Sequence, residues 1–266
     1  MTATATKPLL ILSIFAPSEH NELWYDLQCR YIRKTTAVDF DYGLFLNGVA
    51  PEGFDPAHVL KYSETNEGHK EALAYLLSYA RQHAYDNYLI LDSDCFPVGK
   101  NWYTGLTSQM LRFNKTIAAP VRVENLDLFP HPCAVFIAKD EIHNTQIDFR
   151  NDVNIKNMLG IEVHDVGTAM HGMTQLMPLL RTNVINVHPV AAAVYHHMFY
   201  HHGAGSRDFN FRVTERYNYY DHWWQKKGKD EKARHLLYEL KKNPDKFLNK
   251  LMGTEKNLLQ RLGRRY

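Results

Sequence analysis

The sequence predicts an α/β fold in which a mostly parallel sheet is flanked by helices and followed by a C-terminal helical extension. Two observations predict it. In the first half of the chain, short apolar runs alternate with segments of helical periodicity, as in β-α-β units. Near the C-terminus the chain shows charged helical patterns, broken at Asn243-Pro244 and at Gly253. We therefore expect a sheet domain over residues 1–225 and a basic helical extension over residues 226–266.

Each element follows from the spacing of apolar residues and from the residues that interrupt it. The apolar run at 9–15 predicts a buried first strand, although a lysine precedes it as in a signal peptide. Leu23, Leu27 and Tyr31 then recur at helical spacing. We predict strands at residues 9–15, 42–46, 88–91, 116–120 and 134–138, and helices at residues 20–35, 71–83, 102–113, 153–159 and 168–180.

The composition is that of one large globular domain, with 45% hydrophobic and 23% charged residues in a chain of 266. No apolar run approaches the ~20 residues of a membrane span. Lysine and arginine are concentrated after Trp224, where a solvated helical face or a contact with anionic lipid would each explain them. We expect no nucleic-acid partner.

The three cysteines, Cys29, Cys95 and Cys133, are odd in number and lack a C-x-x-C spacing. This indicates neither a disulfide framework nor a thiolate zinc site. A reducing compartment explains them best. We therefore expect a cytoplasmic protein, with the basic extension as the part that would reach the inner face of a membrane.

Two carboxylates follow the third predicted strand, in Asp92-Ser93-Asp94. Side chains at positions i and i+2 of an extended segment point the same way, so both carboxylates can face one cation. Such oxygen ligands suit Mg²⁺ or Mn²⁺, which usually complete their shells with water and substrate phosphates. The sequence therefore predicts a divalent metal site that binds a diphosphate. An ordinary strand end with two capping aspartates is the alternative.

A second polar segment combines histidines with a glycine-rich turn. His196, His197, His201 and His202 precede residues 203–207, which contain two glycines, a serine and an arginine. Glycine permits a close approach of the backbone to a ligand, and hydroxyl and guanidinium groups bind phosphate oxygens. We expect Gly203, Ser206 and Arg207 to contact a diphosphate. For the histidines, we favour the interpretation in which His196 and His197 belong to an ordinary strand and only one of His201 and His202 has a functional role.

Four segments together resemble one known family over roughly residues 8–210. They are the first strand with Ala16-Pro17-Ser18-Glu19, the stretch Asn66-Glu67-Gly68-His69-Lys70, the strand that ends in Asp92-Ser93-Asp94, and the segment 131–139 that begins His-Pro-Cys. In order and spacing these segments resemble the nucleotide-sugar glycosyltransferases of the GT-A fold, particularly the family 2-like group. The resemblance implies a Rossmann-like sheet and a nucleotide-sugar donor.

The resemblance also implies roles for individual residues. Asp92, Asp94 and a late histidine, His202 or its neighbour His201, would bind Mn²⁺ or Mg²⁺. The acceptor would be a hydroxyl group of a glycan or of a lipid-linked glycan. The donor contacts that it implies are Ala16, Ser18, Glu19, Asn66, Gly68, Lys70, Asp92, Ser93, Gly203, Ser206 and Arg207.

An inverting transfer needs a base that takes the proton of the acceptor hydroxyl. The resemblance implies a carboxylate after the acceptor-side strand, and Asp165 is the candidate. Asp165 is explained equally well as the N-cap of the predicted helix at 168–180. Asp152, Glu162 and His164 are the other candidates, and a retaining mechanism would need no such base.

Aromatic residues are concentrated between Tyr217 and Trp224, ahead of the basic extension. Aromatic rings stack on sugars, but clusters like this one more often attach a helix to the main domain. A non-catalytic protein that binds sugars or polyanions through these rings and the basic extension is therefore the alternative to an enzyme.

Overall fold

The computed structural model describes residues 7–123, 127–150, 153–158, 160, 162–163, 165–183, 191–203 and 229–262. Its centre is a seven-stranded sheet. The strands are β1 (Lys7–Phe15), β2 (Phe40–Asn47), β3 (Val59–Ser63), β4 (Tyr85–Asp92), β5 (Cys95–Pro97), β6 (Ile117–Pro120), β7 (Ala134–Ala138), β8 (Ile155–Lys156), β9 (Glu162–Val163), β10 (Leu176–Leu179), β11 (Ala193–Tyr195) and β12 (Phe199–His201). The helices are α1 (Asn21–Thr35), α2 (His69–Arg81), α3 (Trp102–Arg112), α4 (Lys229–Lys242) and α5 (Pro244–Leu262).

The large sheet has the strand order β10-β6-β7-β4-β1-β2-β3. β1 pairs in parallel with β2 and β4, β2 pairs in parallel with β3, and β6 pairs in parallel with β10. Only β7 runs the other way among these seven strands, because it is antiparallel to β4 and β6. The predicted α/β class, with a mostly parallel sheet flanked by helices and a helical C-terminal part, is confirmed.

Both faces of the sheet are covered by helices, which explains why β1 is apolar throughout. Leu10, Leu12 and Ile14 pack with the apolar face of α2. The alternate residues Leu9 and Ile11 pack on the other face with residues of α3. A strand covered on both sides needs no alternating polar residues, which is why its sequence is one continuous apolar run.

Two predicted helices are wrong. Within 153–159, the described residues Ile155–Lys156 form a strand that pairs with Glu162–Val163. Within 168–180, a short 3-10 turn at Thr168–Met170 leads to β10, an edge strand. Pro178 explains this difference, since proline lacks the N–H group that a helix interior needs but is tolerated on an edge strand. The break predicted at Gly253 is also absent, because α5 continues through that residue.

The C-terminal helices pack on the main domain through their apolar residues. Those that contribute to a buried cluster with α1 are Leu236, Leu237, Leu240, Phe247, Leu248 and Leu251. Asp245 anchors the start of α5, because it accepts hydrogen bonds from Tyr31 at 2.7 Å and from Lys34 at 2.6 Å and pairs with Arg30. In the part of the chain that the structure describes, no helix has both the length and the apolar character that a membrane crossing requires.

The Asp245→Asn variant is expected to lower the free energy of unfolding by about 1 kcal/mol at neutral pH. It weakens the three contacts of this half-exposed side chain because it removes the negative charge. Hydrogen bonds from Lys34 and Tyr31 lower the pKa of Asp245 below its ordinary value. This contribution is therefore present above the ordinary carboxyl pKa and is lost as the pH falls through the lowered value. Urea unfolding at neutral and acidic pH would measure it. Asp26→Asn, an exposed change on α1, is the matched control, and equal losses in both variants would contradict the expectation.

Candidate functional site

The candidate site lies at the carboxyl end of β4. Asp92 is the last residue of this strand, and Ser93 and Asp94 form the turn into β5. β12 pairs antiparallel with β5 and brings His201 opposite Cys95. As a result, one ligand atom from each of Asp92, Asp94 and His201 lies within 4.8 Å of the other two. Two carboxylates and an imidazole in this arrangement fit Mn²⁺ or Mg²⁺.

Burial makes a charge partner necessary at this site. Asp94 is 4% exposed and His201 is 5% exposed, and Nε2 of His201 lies 3.5 Å from Oδ1 of Asp94. Burial opposes a charge on His201, but Cys133 and the Asp94 carboxylate outweigh it and hold the pKa of His201 well above its ordinary value. Buried carboxylates are stable only with a proton or a cation close by. A metal ion could therefore replace the proton on His201, and the ring would stay in place as a ligand.

His202, the predicted metal ligand, points away from the carboxylates. It is fully buried, its Nδ1 lies 2.7 Å from the Tyr200 hydroxyl, and its ring packs 5.1 Å from that of Trp24. Neighbouring residues of a strand face opposite sides, so His201 and His202 cannot both reach one ion. Among the described residues, His201 takes the place predicted for His202 in the carboxylate group. The binding of metal itself stays a prediction.

His196 and His197 lie in the turn between β11 and β12, with positive φ angles of 53° and 56°. Nε2 of His196 lies 2.6 Å from Oε1 of Gln109 on α3. Neither residue belongs to the carboxylate group. The interpretation that placed His196 and His197 in an ordinary strand is therefore wrong, since both lie in the turn that connects the two strands.

His69 is a site residue that the sequence analysis did not single out. It begins α2, and its Nε2 lies 2.9 Å from Oδ1 of Asp92. Burial of the ring disfavours its charge, but the Asp92 carboxylate prevails and raises the pKa of His69. A cation on Asp92 would therefore compete with the His69 proton for the same oxygen. The only sequence signal for His69 was its place beside Gly68 in the stretch that resembles the family.

The loop that contains Asn66 and Gly68 is held by Asn47, another residue that the sequence analysis missed. Nδ2 of Asn47 donates to Oδ1 of Asn66 at 2.9 Å, and Oδ1 of Asn47 accepts from the backbone N–H of Glu67 at 2.7 Å. The side-chain oxygen of Asn66 also accepts from the N–H of Gly68. Asn66 thus shapes the entrance of α2 with its side-chain oxygen, and Lys70 follows on the first turn of that helix. Their predicted contacts with a donor remain predictions.

The loop predicted to receive the nucleotide follows β1. Because β1 and β4 are parallel, with Ile14 beside Asp92, this loop starts at the edge where the carboxylates lie. Nδ2 of Asn21 donates to the Ala16 carbonyl at 3.0 Å, and Oγ of Ser18 accepts from the N–H of His20. Glu19 pairs with the His20 ring. The loop is thus tied to the start of α1, and its donor contacts stay a prediction.

Asp165 is half-exposed and does not act as a helix cap with its side chain. Oδ1 of Asp165 accepts from the N–H of Val166 at 2.8 Å, whereas Gly167 is the N-cap of the following 3-10 turn. Oδ2 lies 3.7 Å from Nη2 of Arg122, which also pairs with the buried Asp127 at 2.9 Å. Burial raises the pKa of Asp127. Asp165 is therefore the more accessible carboxylate of a cluster centred on Arg122.

The remaining predicted site residues are either described without contacts to the carboxylate group or lie outside the described residues. Gly203 is described, with a φ of 77°. Glu162 lies exposed in β9. Residues outside the described part of the chain are Asp152, His164, Ser206, Arg207 and the aromatic cluster between Tyr217 and Trp224.

Gln28 holds the turn that carries the carboxylates. This buried side chain on α1 donates through Nε2 to the carbonyl oxygens of Asp92 at 2.7 Å and Cys95 at 2.8 Å. Its Oε1 accepts from the Tyr42 hydroxyl at 2.6 Å. One side chain therefore fixes both ends of the turn.

The Gln28→Leu variant is expected to lower the free energy of unfolding by about 2–4 kcal/mol, because it leaves buried polar groups without their hydrogen bonds. It is also expected to weaken the binding of Mn²⁺, because the turn loses its support. Urea unfolding and metal titration would measure the two effects. Gln82→Leu, an exposed change at the end of α2, is the matched control. Equal behaviour of both variants would contradict a special role of Gln28.

No protein-family model and no curated protein sequence matches this chain. Among solved structures, similar ones include a mannosyltransferase from Pyrobaculum calidifontis in complex with GDP-Man and Mn²⁺ (10% identity, TM-score 0.42, 65% of this chain and 56% of that one). Another is TarS of S. aureus in complex with UDP-GlcNAc (10% identity, TM-score 0.39, 53% of this chain and 48% of that one). A third is the glycosyltransferase GlyE of Streptococcus pneumoniae TIGR4 (13% identity, TM-score 0.36, 51% of this chain and 35% of that one). The chain spans about half or less of the length of the last two. Likeness at this level assigns no activity.

Proposed function

We propose that this protein is a metal-dependent glycosyltransferase that moves a sugar from a nucleotide-sugar donor to a hydroxyl group of a glycan or lipid-linked glycan. The observation that carries the proposal is the grouping of Asp92, Asp94 and His201 within 4.8 Å. This group lies at the carboxyl end of a central strand, and ligands of open α/β sheets bind at that edge. The residues that resemble the family lie in the loops around it.

The donor set suits the chemistry of this transfer. When the bond between sugar and phosphate breaks, negative charge develops on the nucleoside diphosphate that leaves. Asp92, Asp94 and His201 would hold a Mn²⁺ or Mg²⁺ ion, which supplies the positive charge that stabilises that leaving group. Ser93 is buried in the turn between the two carboxylates.

Loops at the ends of parallel strands would form the donor side of the site. β4, β1, β2 and β3 are successive neighbours and all point the same way, so the loops after them start at one edge. The first loop, with Ala16, Ser18 and Glu19, would receive the nucleotide, and the loop with Asn66 and Gly68 would lie against the diphosphate or sugar. Gly203, Ser206 and Arg207 would complete the phosphate contacts.

Asp165 would take the proton of the acceptor hydroxyl in an inverting transfer. Its half-exposed carboxylate is supported by the backbone of Val166 on one side and by Arg122 on the other. A base needs a carboxylate that the acceptor hydroxyl can reach, which a half-exposed side chain provides. A retaining transfer would not depend on this residue, so the stereochemistry of the product distinguishes the two mechanisms.

A panel of UDP-, GDP-, dTDP- and CMP-sugars tests the proposal. With Mn²⁺ present, one nucleotide class is expected to raise the melting temperature and to be split slowly to the free nucleoside diphosphate. Omission of the metal should remove both effects. Stabilisation by free sugars without any release of nucleotide would favour the non-catalytic alternative, and no response to any donor would contradict the proposal.

The cytoplasmic location is also part of the proposal. Leucines and a phenylalanine of α4 and α5 are buried in a cluster with α1, whereas Tyr238 is exposed, which favours a packing role over membrane contact for the buried residues. Binding to neutral and anionic liposomes would test the remaining basic residues. Retention on anionic liposomes alone would indicate a peripheral location.

A further inference from the structure

A second group of metal-binding side chains lies beside the two carboxylates and consists of His131, Cys133 and His201. One ligand atom from each lies within 4.8 Å of the other two. His131 and Cys133 immediately precede β7, and the carbonyl of Cys133 accepts a hydrogen bond from the N–H of Asp92 at 3.0 Å. The end of β4 thus brings a thiol and a further imidazole to His201.

The orientation of these side chains suits a common ion. The N–H of Cys133 donates to Nδ1 of His131 at 3.2 Å, and a neutral ring that binds zinc through either nitrogen would give up this hydrogen bond, because it has a single nitrogen lone pair. The His131 and His201 rings lie 5.5 Å apart with a tilt of 40°. Cys133 is fully buried and His201 nearly so, whereas His131 is half-buried. Solvent therefore reaches the group from the His131 side.

This donor set differs in chemistry from the carboxylate pair. One sulfur and two imidazole nitrogens are the ligands that zinc prefers, whereas Mg²⁺ and Mn²⁺ prefer carboxylate oxygens. A tetrahedral zinc has bonds of about 2.0–2.3 Å, so the three side chains would close on it by movements on the order of 1 Å. Water would take the fourth position. The cysteine spacing alone did not indicate this site because its three ligands come from two distant segments.

We propose that His131, Cys133 and His201 bind Zn²⁺ and that this ion excludes the cation of the carboxylate site. On binding, the Cys133 sulfur and the His201 ring release the protons that they hold to solvent as their bonds to zinc form, so the sulfur binds as a thiolate and both imidazoles bind in their neutral form. A neutral imidazole has one nitrogen lone pair, so His201 serves one cation at a time. Zinc would therefore switch the enzyme off. The switching rests on the proposed function, but the zinc site does not.

Cobalt is the probe for the site, because a thiolate bound to Co²⁺ gives a charge-transfer absorption in the near ultraviolet. Titration of the metal-free, full-length protein with Co²⁺ is expected to produce this band at one ion per chain, and Zn²⁺ is expected to abolish it. Cys133→Ser should lose the band, whereas Cys29→Ser, a half-buried cysteine on α1, should keep it. A wild-type protein without the band, or a Cys133→Ser variant that retains it, would overturn the proposal. If Cys95→Ser lost the band and Cys133→Ser kept it, Cys95 would be the ligand and the proposal would also be overturned.

A second variant tests the ligand set even if Cys133→Ser does not fold. His131→Gln keeps the thiol and changes the most accessible ligand, so it should fold and should bind Zn²⁺ at least about 10-fold more weakly. Unchanged zinc affinity in a folded His131→Gln variant would contradict the proposed ligand set.

The switch is tested separately from the site. In assays with Mn²⁺, Zn²⁺ is expected to inhibit transfer, and Cys133→Ser should require at least about 10-fold more Zn²⁺ for the same inhibition. Equal inhibition of both proteins would refute the switch. Asp92→Asn should lose activity yet keep the cobalt band. A protein that gives the cobalt band but acts on no donor would support the zinc site and refute the proposed transferase. A protein that transfers sugar but gives no band would support the transferase and refute the zinc site.

Discussion

Asp94→Asn is expected to abolish sugar transfer while the protein remains folded. Asparagine keeps the shape of the side chain but removes the negative charge from a residue that is 4% exposed and lies beside His201. A bound cation is worth several kcal/mol of stabilisation to a developing charge, which corresponds to a loss of at least about 10³-fold in rate. Asp92→Asn should lose activity in the same way, because it removes the other carboxylate of the group.

The test compares transfer rates and Mn²⁺ affinity in these variants with those of Asp39→Asn. Asp39 is exposed just before β2, at the opposite edge of the sheet, so the same chemical change there should have no effect. Treatment of the wild-type protein with a chelator should reproduce the loss. Full activity of Asp94→Asn without metal would remove the basis of the proposed function.

Asp165→Asn is expected to reduce transfer by about 10²–10⁴-fold, the usual contribution of a general base. Asparagine keeps an oxygen that can accept from the Val166 N–H, so the melting temperature and donor binding should change little. Asp165→Ala loses this hydrogen bond as well, and its free energy of unfolding should fall by about 1 kcal/mol. Turnover and melting of the two variants would separate catalysis from structure.

Glu162→Gln tests another candidate for the base in parallel, because Glu162 is an exposed carboxylate on β9 in the same region. It should leave transfer unchanged. Wild-type turnover in Asp165→Asn would rule out this base and leave Glu162, Asp152 and His164 as candidates, or a retaining mechanism. Retention of the anomeric configuration in the product would then be the direct confirmation of that alternative.

The sequence predicted the parts of the fold that depend on local pattern. The strands around Ile14, Leu91 and Val135 are buried on both faces, so their apolar runs are unambiguous. The helix predicted at 168–180 failed because pairing of Leu176–Leu179 with β6 outweighed local spacing. Edge pairing of this kind depends on distant residues and leaves no periodic signal.

The candidate site likewise contains residues that the sequence reveals and residues that only the structure reveals. Two aspartates at a strand end are visible in the sequence, and the structure brings them together. His69, Gln28 and Asn47 act through contacts with distant segments, and their residue types are common in ordinary loops and helices. The choice between His201 and His202 depends on which of them lies opposite Cys95, a property of strand pairing alone.

The pairing of β12 with β5 also affects how this segment can change during evolution. Tyr200 lies beside Phe96 in the buried cluster with α1, while His201 faces the carboxylates. If the strand slipped by one residue, His202 would occupy the position of His201, and an imidazole would still face the cation. The loss would fall on the Tyr200 contacts. The adjacent histidines would therefore keep an imidazole beside the two carboxylates after a register error that disrupts the hydrophobic core. Variants of this hairpin should lose stability before they lose the proposed metal site.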